Sequence, residues 1–158
     1  MNNRLPQIAT ETDGSGALIG DYTYDPLGLP QSQHTPYGTS HFHHDWLGST
    51  TDLTGSTGEQ KSRTAYDPYG QAGTATVATS APPTPFGFAG QYNDPALQGK
   101  QYLRAREYDP ANGRFNTRDP LATPANSPCA SRYTYAAGAP TIYTDPTGLS
   151  PKTTTPTT

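Results

Sequence analysis

Tyr-Asp-Pro occurs three times at a constant interval of 42 residues, as Tyr24-Asp25-Pro26, Tyr66-Asp67-Pro68 and Tyr108-Asp109-Pro110. A fixed interval of this kind is a repeat, and a repeat constrains the fold before any local propensity is weighed. Gly follows at the same offset in the first two copies, as Gly28 and Gly70, and slips by one residue to Gly113 in the third. Upstream, Thr12-Asp13-Gly14-Ser15-Gly16 stands 42 residues before Thr54-Gly55-Ser56-Thr57-Gly58. His44-Asp45-Trp46-Leu47-Gly48 is a half-step variant, and Tyr143-Thr144-Asp145-Pro146-Thr147-Gly148 a degenerate last copy.

The chemistry of the unit is that of a turn. Pro sets φ at the first central position, Asp accepts hydrogen bonds from its own downstream backbone, and Gly takes a positive φ without steric cost. A short alternating stretch precedes each turn, such as Tyr22-Thr23-Tyr24 or Arg63-Thr64-Ala65-Tyr66. The Thr/Gly clusters mark the opposite turns, so each half-repeat reads as strand, turn, strand, turn. Alternation puts Tyr22 and Tyr24 on one face, where aromatic rings can meet across strands. One hairpin cannot bury its own face, so several must associate.

Composition narrows the class further. With 31% hydrophobic residues, 16 Gly and 17 Pro, the chain is either low-complexity and disordered or β-rich with short strands. A net charge of only -3 and 11 Tyr favour β-rich order in the middle, with disorder kept to the ends. That charge gives no footprint for nucleic acid, and no stretch reaches transmembrane length or forms a signal peptide. Cys129 is the single cysteine and reads as an incidental thiol in a loop. Residues 98–107 are the best helix candidate. The alternation of Tyr102, Arg104, Arg106 and Tyr108 next to Asp-Pro turns favours a strand with those four on one side.

From Phe86 onward a more specific pattern appears. Phe86-Gly87-Phe88-Ala89-Gly90-Gln91-Tyr92-Asn93-Asp94-Pro95 leads to Tyr102-Leu103-Arg104-Ala105-Arg106-Glu107-Tyr108-Asp109-Pro110. Then come Gly113-Arg114-Phe115-Asn116-Thr117-Arg118-Asp119-Pro120, Tyr133-Thr134-Tyr135 and Asp145-Pro146-Thr147-Gly148-Leu149. Together with Asp45-Trp46-Leu47-Gly48-Ser49-Thr50 upstream, this order resembles the repeat-associated core of bacterial rearrangement-hotspot (RHS, or YD-repeat) proteins over residues 12–149. The chain departs from that pattern in a longer linker at 96–101, in Glu107, in the loop 122–131 and at Gly138-Ala139-Pro140.

The resemblance implies a mainly β fold: a meander of short antiparallel hairpins, forming part of an RHS β-shell that encloses a C-terminal toxin. It divides the chain into a lead-in (1–11), YD-type hairpins (12–85), the repeat-associated core (86–149) and a Thr/Pro-rich tail (150–158). The implied partners are the remainder of the shell and a toxin domain, in a larger secreted or surface protein. Nine residues follow Leu149, so the chain is expected to be a piece of such a protein, with unpaired strand edges and a tendency to self-associate.

Many members of that family cut themselves after Asp-Pro-x-Gly-Leu, which here implies the bond Leu149–Ser150. Asp119 and Asp145 are the carboxylates that could do it, one ionised to activate water and one protonated to serve the leaving amine. Two carboxyls held close cannot both ionise easily, which supplies the split. Arg118 could hold one of them ionised. Taken by spacing alone, both aspartates read as turn residues, because six of the ten Asp precede Pro, and it is the resemblance that raises them as a pair. The chain is at most an intramolecular aspartyl-type autoprotease. The alternative is a cell-surface or wall-associated β-repeat binding module without cleavage.

No cofactor is implied and no metal site is favoured. His34, His41, His43 and His44 cluster in sequence, but only Asp45 stands alongside as a further ligand. The arginines at 104, 106, 114, 118 and 132 read as partners for stacked tyrosines.

Overall fold

The computed structural model describes residues 7–121 and 131–153. The lead-in up to Pro6, most of the divergent loop (residues 122–130, with Cys129) and the tail from Thr154 lie outside the described residues. The fold is mainly β. Seven strands form one antiparallel sheet in sequence order: β1 (Thr10–Thr12), β2 (Leu18–Tyr24), β3 (Pro30–Thr35), β4 (Gly38–His44), β5 (Thr50–Gly55), β6 (Gln60–Arg63) and β7 (Thr76–Val77). A three-stranded sheet of β8 (Gln101–Leu103), β9 (Arg106–Asp109) and β10 (Arg114–Phe115) follows. A two-stranded ladder joins β11 (Tyr143–Thr144) to β12 (Lys152–Thr153). Among the described residues no helix is long and apolar enough to cross a membrane.

The repeat builds the first sheet as its turn chemistry dictates. At the β2–β3 turn the Gly28 amide donates to Asp25 O at 3.0 Å, and Asp25 Oδ1 accepts the amides of Leu27 and Leu29 at 2.8 Å each. Asp45 and Asp67 repeat this arrangement at their own turns. Each carboxylate thus satisfies two amides that a strand ladder leaves over. Gly28 has φ +94, a conformation that costs an L residue. The lead-in joins the sheet before β1, since Tyr24 donates to Ile8 O at 2.6 Å and the Tyr22 amide to Ala9 O at 2.8 Å.

Tyr22 and Tyr24 do share a face, but their ring partner comes from elsewhere in the chain. Phe86 meets Tyr22, Phe42, Tyr24 and Tyr92 edge-on at 5.0, 5.7, 6.0 and 6.1 Å. Leu53, fully buried, completes this first core. Glu11 ties it together by accepting the hydroxyls of Tyr22 at 2.8 Å and Tyr92 at 2.7 Å.

Two residues on, Phe88 turns into a different core with Leu47, Leu103, Tyr108, Phe115 and Tyr135. Residues two apart in a strand share a face, so the separation needs a kink, and Gly87 makes it at φ -132, ψ -128. A single three-residue segment thereby nails both sheets together. Each buried phenylalanine contributes roughly 1.5–3 kcal/mol from area removed from water.

The stretch from Gln101 to Tyr108 is a hairpin, not one strand. Leu103 pairs with Arg106 and Gln101 with Tyr108, all four buried, while Tyr102 pairs with Glu107 on the outer face. The expected row of Tyr102, Arg104, Arg106 and Tyr108 is therefore broken. The reversal sits at Arg104-Ala105, where Arg104 takes φ +61, a position at which sequence gives no Gly or Asn-Gly signal.

Candidate functional site

The β8–β9 hairpin grips the loop that follows β11. Gly148 lies so close to the hairpin that a Cβ there would come within 2.5 Å of Leu103 O and 3.0 Å of the Arg106 amide nitrogen. With φ +67 as well, no other residue fits without moving the backbone. Three successive carbonyls of the loop are bound from the hairpin. Pro146 O accepts from Arg104 Nη1, Thr147 O from the Ala105 amide at 3.3 Å, and Gly148 O from Arg106 Nε.

Arg106 is the hub. Its Nη2 lies 3.0 Å from Asp119 Oδ2 and 3.5 Å from Asp145 Oδ2, so one guanidinium nitrogen joins both carboxylates. Nη1 donates to Arg132 O at 3.2 Å, and the guanidinium lies 3.6 Å over the Phe115 ring. Burial pulls the Arg106 pKa down, while Asp119 and Asp145 pull it back up. A planar fork that serves two carbonyls, two carboxylates and an aromatic face is a task for Arg and not for Lys.

The two aspartates differ in their surroundings. Asp145 has a side chain only 3% exposed, against 23% for Asp119. Asp119 Oδ1 accepts the Leu121 amide at 2.8 Å, an ordinary turn contact. Asp145 Oδ1 accepts the amides of Leu149 at 3.1 Å and Ser150 at 3.0 Å. The nitrogen of the Leu149–Ser150 bond is thus directly on a buried carboxylate. Tyr135, whose phenol is pushed up by burial, closes the apolar side.

The folded chain therefore brings Asp119, Asp145, Leu149 and Ser150 into one place, across 26 residues separating the two aspartates. Arg118 does not join them. It is exposed, because neighbours in an extended segment point to opposite sides, and Asp119 takes the inward one. The cation expected at that position is supplied by Arg106, from a different strand. Leu149 is half-buried and belongs to neither core. Ser150 is exposed, and beyond it β12 pairs back on β11, Lys152 opposite Thr144.

The other candidates resolve into local structure. His43 Nε2 shares a hydrogen bond with Thr54 Oγ1 at 2.8 Å, and His44 Nε2 with Pro30 O at 2.6 Å. His41 is exposed on the outer face. Among the described residues no three His, Cys, Asp or Glu gather in a metal-holding group. Sequence reasoning missed Arg104 and Arg106 as site residues, reading them as partners for stacked tyrosines. Their available signal was the Arg-x-Arg spacing at a strand reversal that lacks Gly.

No protein-family model matches the chain. Curated relatives do. Over 143 residues it is 30% identical to the tRNA nuclease WapA of Bacillus subtilis (strain 168), covering 89% of this chain and 6% of that protein. It is 36% identical over 110 residues to the toxin protein Tse5 of Pseudomonas aeruginosa, covering 68% of this chain and 8% of the relative. It is also 35% identical over 111 residues to the double-stranded DNA deaminase toxin A of Burkholderia cenocepacia, covering 69% and 7%.

Its relatives include toxin proteins. The chain spans less than a tenth of the length of each. Among solved structures, the TcdB2-TccC3-Cdc42 crystal structure matches with a TM-score of 0.68 at 22% identity, over 82% of this chain and 6% of the other. A Tc holotoxin pore of Photorhabdus luminescens matches at 0.59 and 16% identity, over 90% and 10%. These likenesses show that the β architecture is shared.

Proposed function

We propose that this chain is the closing core of an RHS-type β-shell around a toxin, and that it cuts its own Leu149–Ser150 bond once. The observation that carries the cleavage reading is the Ser150 amide on Asp145 Oδ1, with Asp145 and Asp119 sharing Arg106 Nη2. The scaffold half of the reading draws on the toxin relatives and on the shared architecture. The division into hairpins at 12–85 and a core at 86–149 belongs to the same reading, as does release in a larger secreted or surface protein.

The division of labour follows from the geometry. Asp119 is the more exposed carboxylate and the closer one to Arg106 Nη2, so it is assigned the role of base. As base it takes a proton from water, whose oxygen bonds to the Leu149 carbonyl carbon. Asp145, whose Oδ1 already lies on the Ser150 amide, is the carboxyl that serves the leaving nitrogen, in its protonated form. It passes its proton to the Ser150 nitrogen as the C–N bond breaks. Arg106 Nε and the hairpin amide hold the preceding carbonyls still, so the bond is presented in one orientation.

Intact mass of freshly made wild type beside Asp119→Asn and Asp145→Asn tests this. The wild type is expected to lose residues 150–158, and both variants to stay at full length. Loss of the tail in all three would assign the cut to an outside protease. A wild type that stays whole within a longer natural chain would leave only the scaffold half standing.

A further inference from the structure

Building on the reading that Leu149–Ser150 is cut, we propose that Gln91 and Arg104 are positioning residues that set the register of the cleavage loop from the first sheet. Arg104 touches neither carboxylate. Its Nη1 is divided between Pro146 O and Gln91 Oε1, the latter at 2.8 Å. Gln91 Nε2 donates to Ala89 O at 2.9 Å, and the Ala89 amide donates to Ser49 Oγ at 3.1 Å. Ser49 is fully buried immediately before β5. The Gln91 backbone is anchored as well, since its carbonyl accepts the Gly87 amide and Gly87 O accepts the Thr50 amide, both at 3.0 Å. A continuous line of hydrogen bonds thus runs from the seven-stranded sheet to the loop carbonyl three residues before Leu149.

A second observation points to the same side chain. Arg104 has φ +61 at the first central position of its hairpin. The left-handed region crowds the Cβ of an L residue against its own backbone, a cost that Gly does not meet. An arginine in such a place marks a use for its guanidinium, because the turn itself would be better served by Gly. Arg106 holds the chemistry's charges, and Arg104, two residues away across the hairpin tip, holds the substrate segment. Misplacement of a reacting bond by about 1 Å can cost about 100-fold in rate.

Arg104→Gly separates the two roles, because Gly relieves the turn while removing the guanidinium. Cut fraction is followed over time after pulsed cell-free synthesis of the full chain, across a range of pH. Arg104→Gly is expected to slow cleavage about tenfold or more, with a pH profile of unchanged shape. In an uncut Asp119→Asn background its Tm should not fall. Gln91→Leu should slow the cut in the same direction, and Gln91→Glu, which keeps the acceptor for Arg104 but loses the donor to Ala89 O, should lie between Gln91→Leu and wild type. Arg104→Lys should lie between wild type and Arg104→Gly. In the uncut background, the Leu149 and Ser150 amides should exchange with deuterium faster in Arg104→Gly. An unchanged rate, a slowing that merely follows a lowered Tm, a shifted pH profile or unchanged amide protection would each overturn the proposal. If the wild type is never cut, the cleavage reading fails, and the exchange measurement still decides whether Arg104 sets the loop.

Discussion

Asp25 and Asp145 open the same kind of turn, Asp-Pro-x-Gly-Leu, at opposite ends of the molecule, and the fold uses them differently. Asp25 Oδ1 accepts amides two and four residues ahead. Asp145 Oδ1 accepts amides four and five ahead, and Thr147 offers its hydroxyl, at 3.2 Å, from the position two ahead. That shift of one residue brings the Ser150 nitrogen onto the carboxylate. Asp25 is half-buried beside its own turn, whereas Asp145 is buried beneath a hairpin and shares a guanidinium with Asp119. One motif thus serves as structure where the turn closes on itself, and as a candidate reactive site where a neighbouring element stretches it.

The comparison breaks most sharply under the conservative change Asp→Asn. Asp145→Asn should abolish the cut outright, read as an intact mass that keeps residues 150–158. Asp25→Asn keeps an acceptor oxygen and should leave both cleavage and the melting curve nearly unchanged, within about 1 kcal/mol.

Removal of the central cation is the next largest effect. Arg106→Met leaves two neighbouring carboxyls, one of them buried, without their shared cation and should destabilise the chain by roughly 3–5 kcal/mol in a denaturant titration. Arg114→Met, at an exposed site on β10, should stay within about 0.5 kcal/mol. Equal effects would mean that the buried cluster is as well solvated as the surface.

Glycines at matched turn positions sharpen the contrast at smaller scale. Gly28→Ala meets the conformational cost of φ +94, about 1–2 kcal/mol, and otherwise only the movable end of Gln7. Gly148→Ala meets the same kind of cost plus backbone of the β8–β9 hairpin, so its loss of stability should be clearly the larger by thermal melting. It should also slow cleavage.

The smallest effect is a pH dependence common to both halves. Burial pushes Tyr24 in the first sheet and Tyr66 beside the second core up to about 12. A phenol with a raised folded-state pKa binds its proton more tightly when folded. Its contribution is complete below about pH 10 and is lost as pH rises towards 12. Stability should therefore decline between pH 10 and 12, with phenolate absorbance appearing later in the folded chain than in the unfolded one.

Much of the first sheet was legible in advance. The fixed spacing of Asp25 and Asp67 and the Gly after each foretold turns, and the stretches between them foretold strands, because these are local backbone preferences. The hairpin at Arg104 was not legible, since it reverses on a residue that normally avoids positive φ and is held by contacts from residues 91 and 146. The same limit hid the cation of the site. Arg118 adjoins Asp119 in sequence, but an extended backbone turns neighbours apart, and the guanidinium that reaches Asp119 comes from a strand 13 residues earlier.

What the amino-acid sequence determined by itself was the class of fold and the placing of its turns, while the two aspartates stood out only through the family resemblance. Turn chemistry acts over four or five residues and needs no partner. What only the tertiary structure decided was which aspartate is buried, which arginine joins the pair and which peptide nitrogen lies against Asp145. Those facts depend on distances between segments far apart in the chain, and such distances are set when Phe86 and Phe88 lock two sheets together.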